Sequence, residues 1–224
     1  MSFILLILTI LIFVALEILR STRKKSVRHS QLAAGALTSQ TAEGRYFHPG
    51  HSWVVLSSTS EATVGADDFA QRVIGKLSGI QLPQLWQNVQ QGEIYATLQR
   101  GDRSLPQVAP LSGKVIGINR KLEQNPDLVN ESPFDQGWIV RMAPANLGLE
   151  LRNLLKGIVA ECWEEAVRNQ LVAWFSHPAE PVLQDGGMIV QGVSDMLSDE
   201  GWRRFTEEFF PIAMTSRNNN QIKN

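Results

Sequence analysis

The stretch GEIYATLQRGDRSLPQVAPLSGKV, Gly92 to Val115, contains the pattern that decides the fold. A β-type run, EIYATL, leads to the polar segment QRGDRS, and a Pro-x-Ser-Gly turn comes before the next β-type run, GKVIGI. Runs of the same kind, SWVVL, EATVGA and GWIVRM, lie on either side, separated by clusters of Pro, Gly, Asn and Asp. Short strands at this spacing predict a small β-sandwich or barrel from Tyr46 to about Met142.

The polar segment QRGDRS carries both signs of charge and a glycine, as expected of a solvated hairpin turn. A second interpretation is a recognition loop on a rigid β scaffold, because binding residues are often found on loops. Under that interpretation the contact residues are Gln99, Arg100, Asp102 and Arg103.

One short helix is predicted within the β-rich part, over ADDFAQRVIGKL. Its apolar residues fall on one helical face, and Asp67 and Asp68 suit the positive end of the helix dipole. The two aspartates could also be paired carboxylates for acid–base chemistry. We favour the helix start, which explains them without a catalytic role.

The hydrophobic period changes to the helical one after Ala143. Apolar residues from Leu151 to Val167 recur at i, i+3 and i+4, which predicts a long amphipathic helix. A further helix begins near Ser198, which suits an N-cap position. We therefore predict a helical extension over residues 151–215, whose tryptophans pack inward, and a disordered tail over 216–224.

The chain begins with an apolar run, FILLILTILIFVALEIL, from Phe3 to Leu19. As a helix it would be about 26 Å long, close to the thickness of the bilayer core. The basic segment RSTRKKSVRH follows directly, and the positive-inside rule then places the rest of the chain in the cytoplasm. A cleaved secretory signal is the alternative, but its basic residues would precede the apolar run. The sequence thus predicts a single-pass transmembrane helix over residues 1–19, with the lipid bilayer as a partner, and a basic and polar linker over 20–44.

Composition excludes several classes of protein. Lys and Arg number 21 against 22 Asp and Glu, so the formal net charge of -1 gives no electrostatic footprint for nucleic acid. The single Cys162 excludes an intramolecular disulfide, and its apolar helical surroundings predict a buried structural thiol. None of the motifs G-x-S-x-G, H-E-x-x-H, G-x-G-x-x-G or the P-loop occurs, so we predict neither an enzyme nor a catalytic residue.

Two histidines, His48 and His51, stand three residues apart at the start of the first predicted strand. Histidines can ligate metals at such spacings, but we favour a local structural pair and predict no metal site.

The β-rich half resembles the H protein of the glycine cleavage system, a lipoyl-bearing carrier, over residues 45–150. The similar segments are HSWV, ATVGADDFAQRVIG, the LP at Leu82, APLSGKVIGIN and NPDLVNESPFDQGWIVRM, all in the same order and spacing. The resemblance implies a mainly β barrel-sandwich hybrid of the hammerhead type that lipoyl and biotinyl domains share.

In that family the lipoyl lysine stands at the tip of a hairpin, ten residues after a Gly and eight before the Pro of the Pro-x-Ser-Gly turn. Counting from Gly92 and from Pro110 leads to the same residue, Asp102. Lipoylation forms an amide with a lysine amine, which neither a carboxylate nor an arginine can replace. The nearest lysine in sequence, Lys114, lies beyond the turn, so no lipoate is expected.

The resemblance and the missing lysine together predict a membrane-tethered H-protein-like module that is not lipoylated. Such a module would serve as a non-catalytic scaffold or interaction subunit for a protein partner. Two alternatives stay open: a lipoyl-type carrier in glycine cleavage that is modified at an unexpected lysine, or a regulator that binds lipoyl-dependent enzymes by mimicking their carrier.

Overall fold

The computed structural model describes residues 44–175 and 191–213. Within these residues nine strands form two antiparallel sheets, one of six strands and one of three. The strands are β1 Tyr46–His48, β2 Ser52–Leu56, β3 Ala62–Ala66, β4 Gly79–Gln81, β5 Asn88–Val89, β6 Ile94–Arg100, β7 Arg103–Val108, β8 Gly113–Ile118 and β9 Val140–Pro144.

The larger sheet has the strand order β1-β2-β3-β9-β8-β5, and the smaller one has the order β4-β6-β7. The predicted runs SWVVL, EATVGA, EIYATL, GKVIGI and GWIVRM each supply a strand of these sheets. The prediction of a mainly β fold is therefore confirmed.

Helices lie between the strands along the chain and follow the last strand. Asp67 caps the first one, since its side chain accepts a hydrogen bond from the Ala70 amide, and Ser198 caps the last one in the same way through Gly201. The Ser198 cap was predicted from the sequence, and so was a helix start at Asp67 and Asp68. The helices are α1 Asp68–Ile74, α2 Lys121–Gln124, α3 Leu128–Glu131, α4 Leu147–Glu150, α5 Ile158–Phe175, α6 Val193–Met196 and α7 Asp199–Phe209.

The long helix α5 begins later than predicted, at Ile158 instead of Leu151. Leu155 exchanges two backbone hydrogen bonds of 2.8 Å with Phe47, so this part of the chain pairs with β1. Gly157 then adopts a φ of 57°, which helical residues do not have. Pairing with the sheet and the turn at Gly157 therefore delay the helix.

The helical extension shares one hydrophobic core with the sheets. Phe175, Trp202, Phe205 and Phe210 are buried in the same cluster as strand residues such as Val64. The inward packing predicted for Trp202 is confirmed. Cys162 was predicted to be buried and is instead exposed, because it lies on the outer face of α5.

No helix within residues 44–175 and 191–213 is long and apolar enough to cross a membrane. The longest, α5, has 18 residues and includes the charged residues Glu161, Glu164, Glu165 and Arg168. The predicted single-pass membrane location with a cytoplasmic domain has no support in the described part of the chain, and we withdraw it together with the lipid bilayer as a partner. The apolar run Phe3–Leu19, the linker up to residue 43 and the tail 216–224 lie outside the described residues.

Candidate functional site

The β6–β7 hairpin places the predicted interaction loop at its tip. Arg100 pairs with Arg103, which leaves Gly101 and Asp102 as a two-residue turn. Gly101 has a φ of 52°, and a glycine with positive φ at this position is what a type II′ hairpin turn requires. Asp102 is exposed at the end of the hairpin.

Ser78, just before β4, forms hydrogen bonds with the hairpin. Its amide donates a hydrogen bond of 2.8 Å to the Gln99 carbonyl, and its hydroxyl accepts one of 3.0 Å from the Gly101 amide. The backbone of the tip is therefore held by the neighbouring strand, while the side chains of Gln99 and Asp102 face solvent.

The two arginines of the tip are engaged by the helical extension. Arg100 forms an ion pair with Asp195 of α6. Arg103 donates to the Leu197 carbonyl at 2.9 Å, and its other terminal nitrogen lies 2.8 Å from a carboxylate oxygen of Asp199. Of the four predicted contact residues, two therefore contact the protein's own C-terminal part.

A polar cleft with a volume of about 310 Å³ adjoins the tip. Lys76 and Asp127 lie on its wall, with their charged groups 3.5 Å apart. Lys76 lies 24 positions before Arg100, and no pattern in the sequence indicates that it shares a cleft with the hairpin. The lining residues are Lys76, Arg100, Asp127, Asn130, Glu131 and Gln191.

The two histidines lie apart from the tip, and each has a polar partner within the domain. The His48 ring accepts a hydrogen bond of 3.0 Å from the Gly50 amide, and His51 lies 2.8 Å from a carboxylate oxygen of Asp67. Both rings are buried. Among residues 44–175 and 191–213, no group of three or more His, Cys, Asp and Glu could hold a metal ion.

His51 lies in an aromatic cage that the extension completes. Its ring centroid is 4.5 Å from Phe69 of α1, 5.1 Å from Trp163 of α5 and 4.8 Å from Phe210, which follows α7. The cage joins residues that are up to 159 positions apart. The spacing of these residues along the sequence therefore could not predict the cage. Asp67 and His51 thus form a structural pair between the sheet, α1 and the extension.

Glu164 of α5 is held beside this pair in a partly buried position. The pKa of Glu164 is raised from the ordinary value of 4.5 to about 7, mainly by burial and also by the negative charges of Asp67 and Asp68, while Arg168 lowers it. Burial also lowers the pKa of His48 from 6.5 to about 4, with a smaller effect from His51. The two groups therefore affect stability in opposite directions between about pH 4.5 and 6.5.

Replacing Glu164 by glutamine is expected to change how stability depends on pH. Because the folded protein holds the Glu164 proton up to about pH 7 and the unfolded chain releases it near 4.5, this residue makes stability fall as pH rises through that window. Denaturant unfolding of both proteins from pH 4 to 8 should show that the substituted protein gains stability relative to wild type towards pH 7. Identical curves would contradict the burial of this carboxylate.

Comparison with known proteins places these features in a family. The family model described as Glycine cleavage H-protein matches residues 45–165. The glycine cleavage system H protein of Hydrogenovibrio crunogenus is 37% identical over 108 residues, which are 48% of this chain and 83% of the relative. The probable glycine cleavage system H protein of Thermococcus kodakarensis is 32% identical over 127 residues, or 57% of this chain and 92% of the relative.

A solved structure, the glycine cleavage system H protein from Mycobacterium marinum, matches with a TM-score of 0.49 and 21% identity, covering 55% of this chain and 98% of that one. The family match itself spans more than half of the chain, from β1 into α5, and includes the whole β6–β7 hairpin. The chain therefore belongs to the glycine cleavage H-protein family.

Proposed function

We propose that the chain is an H-protein-like interaction subunit that carries no lipoyl group and acts as a non-catalytic scaffold for a protein partner. The observation that carries the proposal is the identity of Asp102. It stands in the two-residue turn of the β6–β7 hairpin, at the position where the resemblance to the family expects the lipoyl lysine.

The residues of the tip do not fit an amide-linked lipoyl group. A carboxylate offers no nucleophilic nitrogen, an arginine side chain forms no such amide, and the guanidinium groups of Arg100 and Arg103 are engaged by Asp195 and Asp199. A carrier also needs its attachment point free to meet several enzymes, whereas this tip is tied to the extension. Both arguments count against group transfer at the tip.

A carrier modified at an unexpected lysine is the second candidate, and one observation favours Lys76 for that role. Its side chain is 78% exposed and lines the same cleft as Arg100. A regulator that mimics the carrier is the third candidate, because the hairpin keeps a tight two-residue turn without the amine.

Mass mapping of lysine variants tests the proposal. Wild type, Asp102→Lys and Gln99→Lys are expressed in cells that lipoylate their own carrier proteins, then digested and mapped. We expect wild type to be bare and Asp102→Lys to gain one lipoyl group, because only this variant places an amine at the turn. Gln99→Lys is the matched control, because residue 99 is exposed but lies in the strand, and it should stay bare.

A lipoyl adduct on wild-type protein would contradict the proposal. If the adduct maps to Lys76 and disappears in Lys76→Arg, the carrier alternative is correct. If Asp102→Lys and wild type both stay bare, the neighbours of residue 102 also exclude the attaching enzyme, which supports a binding role.

A further inference from the structure

The C-terminal segment from Gln191 to Ala213 lies beyond the residues that match the family, which end at 165. It nevertheless contacts both the hairpin and α1, two elements of the family domain. We call this segment the cap.

Backbone groups at the end of α1 are satisfied by the cap. The Gly192 amide donates a hydrogen bond of 2.8 Å to the Arg72 carbonyl, and the Ser194 hydroxyl donates one of 2.7 Å to the Ile74 carbonyl. The last carbonyls of a helix have no partner within the helix, so these bonds supply what α1 lacks.

Gly75 allows the hairpin and the cap to approach the end of α1 closely. A Cβ on Gly75, just after α1, would lie 2.2 Å from an Arg100 side-chain nitrogen and 2.6 Å from the Gly192 Cα. Gly75 also has a φ of 77°, so a side chain there would be strained as well. The end of α1, the hairpin and the cap therefore meet at a position that only glycine fits.

Ion pairs and aromatic packing hold the two ends of the cap. At its start, Asp195 and Asp199 engage arginines whose side chains are only 25% and 20% exposed. At its end, Phe209 and Phe210 lie 5.6 and 5.8 Å from Phe69 of α1, measured between ring centroids.

We propose that the cap is a built-in autoinhibitory contact, which closes the face of the family domain between α1 and the hairpin to other proteins. The proposal deepens the proposed function and rests on it for the role of the hairpin as the interaction site. A protein that bound Arg100 and Arg103 would have to displace Asp195 and Asp199 from them. The cap holds the side formed by Arg100 and Arg103, and leaves Gln99 and Asp102 exposed.

Reversing the acidic charges of the cap tests whether it closes this face. In the full chain, Asp195→Arg with Asp199→Arg replaces the ion pairs with Arg100 and Arg103 by repulsion between like charges. Amide hydrogen exchange at residues 192–197 and 99–104 is expected to become about tenfold faster. Adding Arg100→Asp and Arg103→Asp restores the pairs with swapped signs and should restore the slow exchange.

The matched control is Glu123→Arg with Asp135→Arg. It changes the net charge equally at two exposed residues outside the cap and should leave these amides unchanged. Unchanged exchange in the cap variant, or no recovery in the swapped variant, would overturn the proposal.

A second measurement tests the closed face directly. Asp102→Lys, with and without the two cap reversals, is incubated with a lipoate-attaching enzyme, lipoate and ATP. In this reaction the acyl carbon of lipoyl adenylate joins the lysine nitrogen, AMP leaves with the bonding pair, and the amine loses a proton. We expect modification to be about tenfold faster when the cap is opened, in line with the change in exchange.

Equal rates with the cap intact and opened would show that the cap does not block the hairpin. If neither variant is modified, the exchange measurement alone decides. A lipoyl group on wild-type protein would contradict the proposed function but would not change the hydrogen-exchange result on the cap. Failure of the proposed function and failure of the proposed closure are therefore distinguishable.

Discussion

Replacing Phe205 by alanine is expected to lower the free energy of unfolding of the whole domain by about 3–5 kcal/mol. Phe205 lies in α7, outside the residues that match the family, yet its side chain is fully buried. Its ring centroid is 4.5 Å from Phe209 and 5.3 Å from Trp174. Truncation leaves a cavity inside a core that the extension shares with the sheets.

The predicted loss of stability is measured by denaturant unfolding, monitored both by tryptophan fluorescence and by far-ultraviolet circular dichroism. Because one core joins both parts, the two signals should shift together to lower denaturant. Val172→Ala is the control, since Val172 lies in α5 and is 56% exposed, and it should cost less than about 0.5 kcal/mol. Two separate transitions, with that of the sheets unmoved, would make the extension an independent unit.

Replacing Asp67 by alanine is expected to cost about 3 kcal/mol, whereas the same change at the adjacent Asp68 should cost at most about 1 kcal/mol. Asp67 is buried, caps α1 through the Ala70 amide at 2.8 Å, and pairs with His51. Its loss leaves a buried ring without its partner. Asp68 is partly exposed and forms an ion pair with Arg72 within one helix.

The comparison separates the two aspartates that the sequence presents as a pair. Thermal and denaturant unfolding of both variants at neutral pH provide the measurement. Equal losses from the two substitutions would contradict the assignment of Asp67 as the link between α1 and His51.

Five of the nine strands in the described residues were predicted, because alternating β-type runs and turn residues are local signals. The hairpin turn followed from Gly101, and the helix start at Asp67 and Asp68 and the Ser198 cap followed from residue type and position. Where a local pattern and the packing agree, the sequence alone was sufficient.

The contacts between the hairpin and the extension were not predictable. Arg100 and Asp195 are 95 positions apart, and neither residue differs in type from an ordinary solvated charge. Cys162 was assigned to the core because apolar residues occur on both faces of α5, and only the packed structure shows which face is covered. Long-range packing decides these features, and it leaves no periodic trace in the sequence.

The most direct test of the central claim is the mass of the protein purified from its own cells, followed by peptide mapping of its seven lysines. We predict that every lysine, including Lys76 and Lys114, is free of a lipoyl group and that Asp102 is unmodified at the tip of the hairpin. A lipoyl adduct on any lysine would contradict the claim and identify the chain as a carrier.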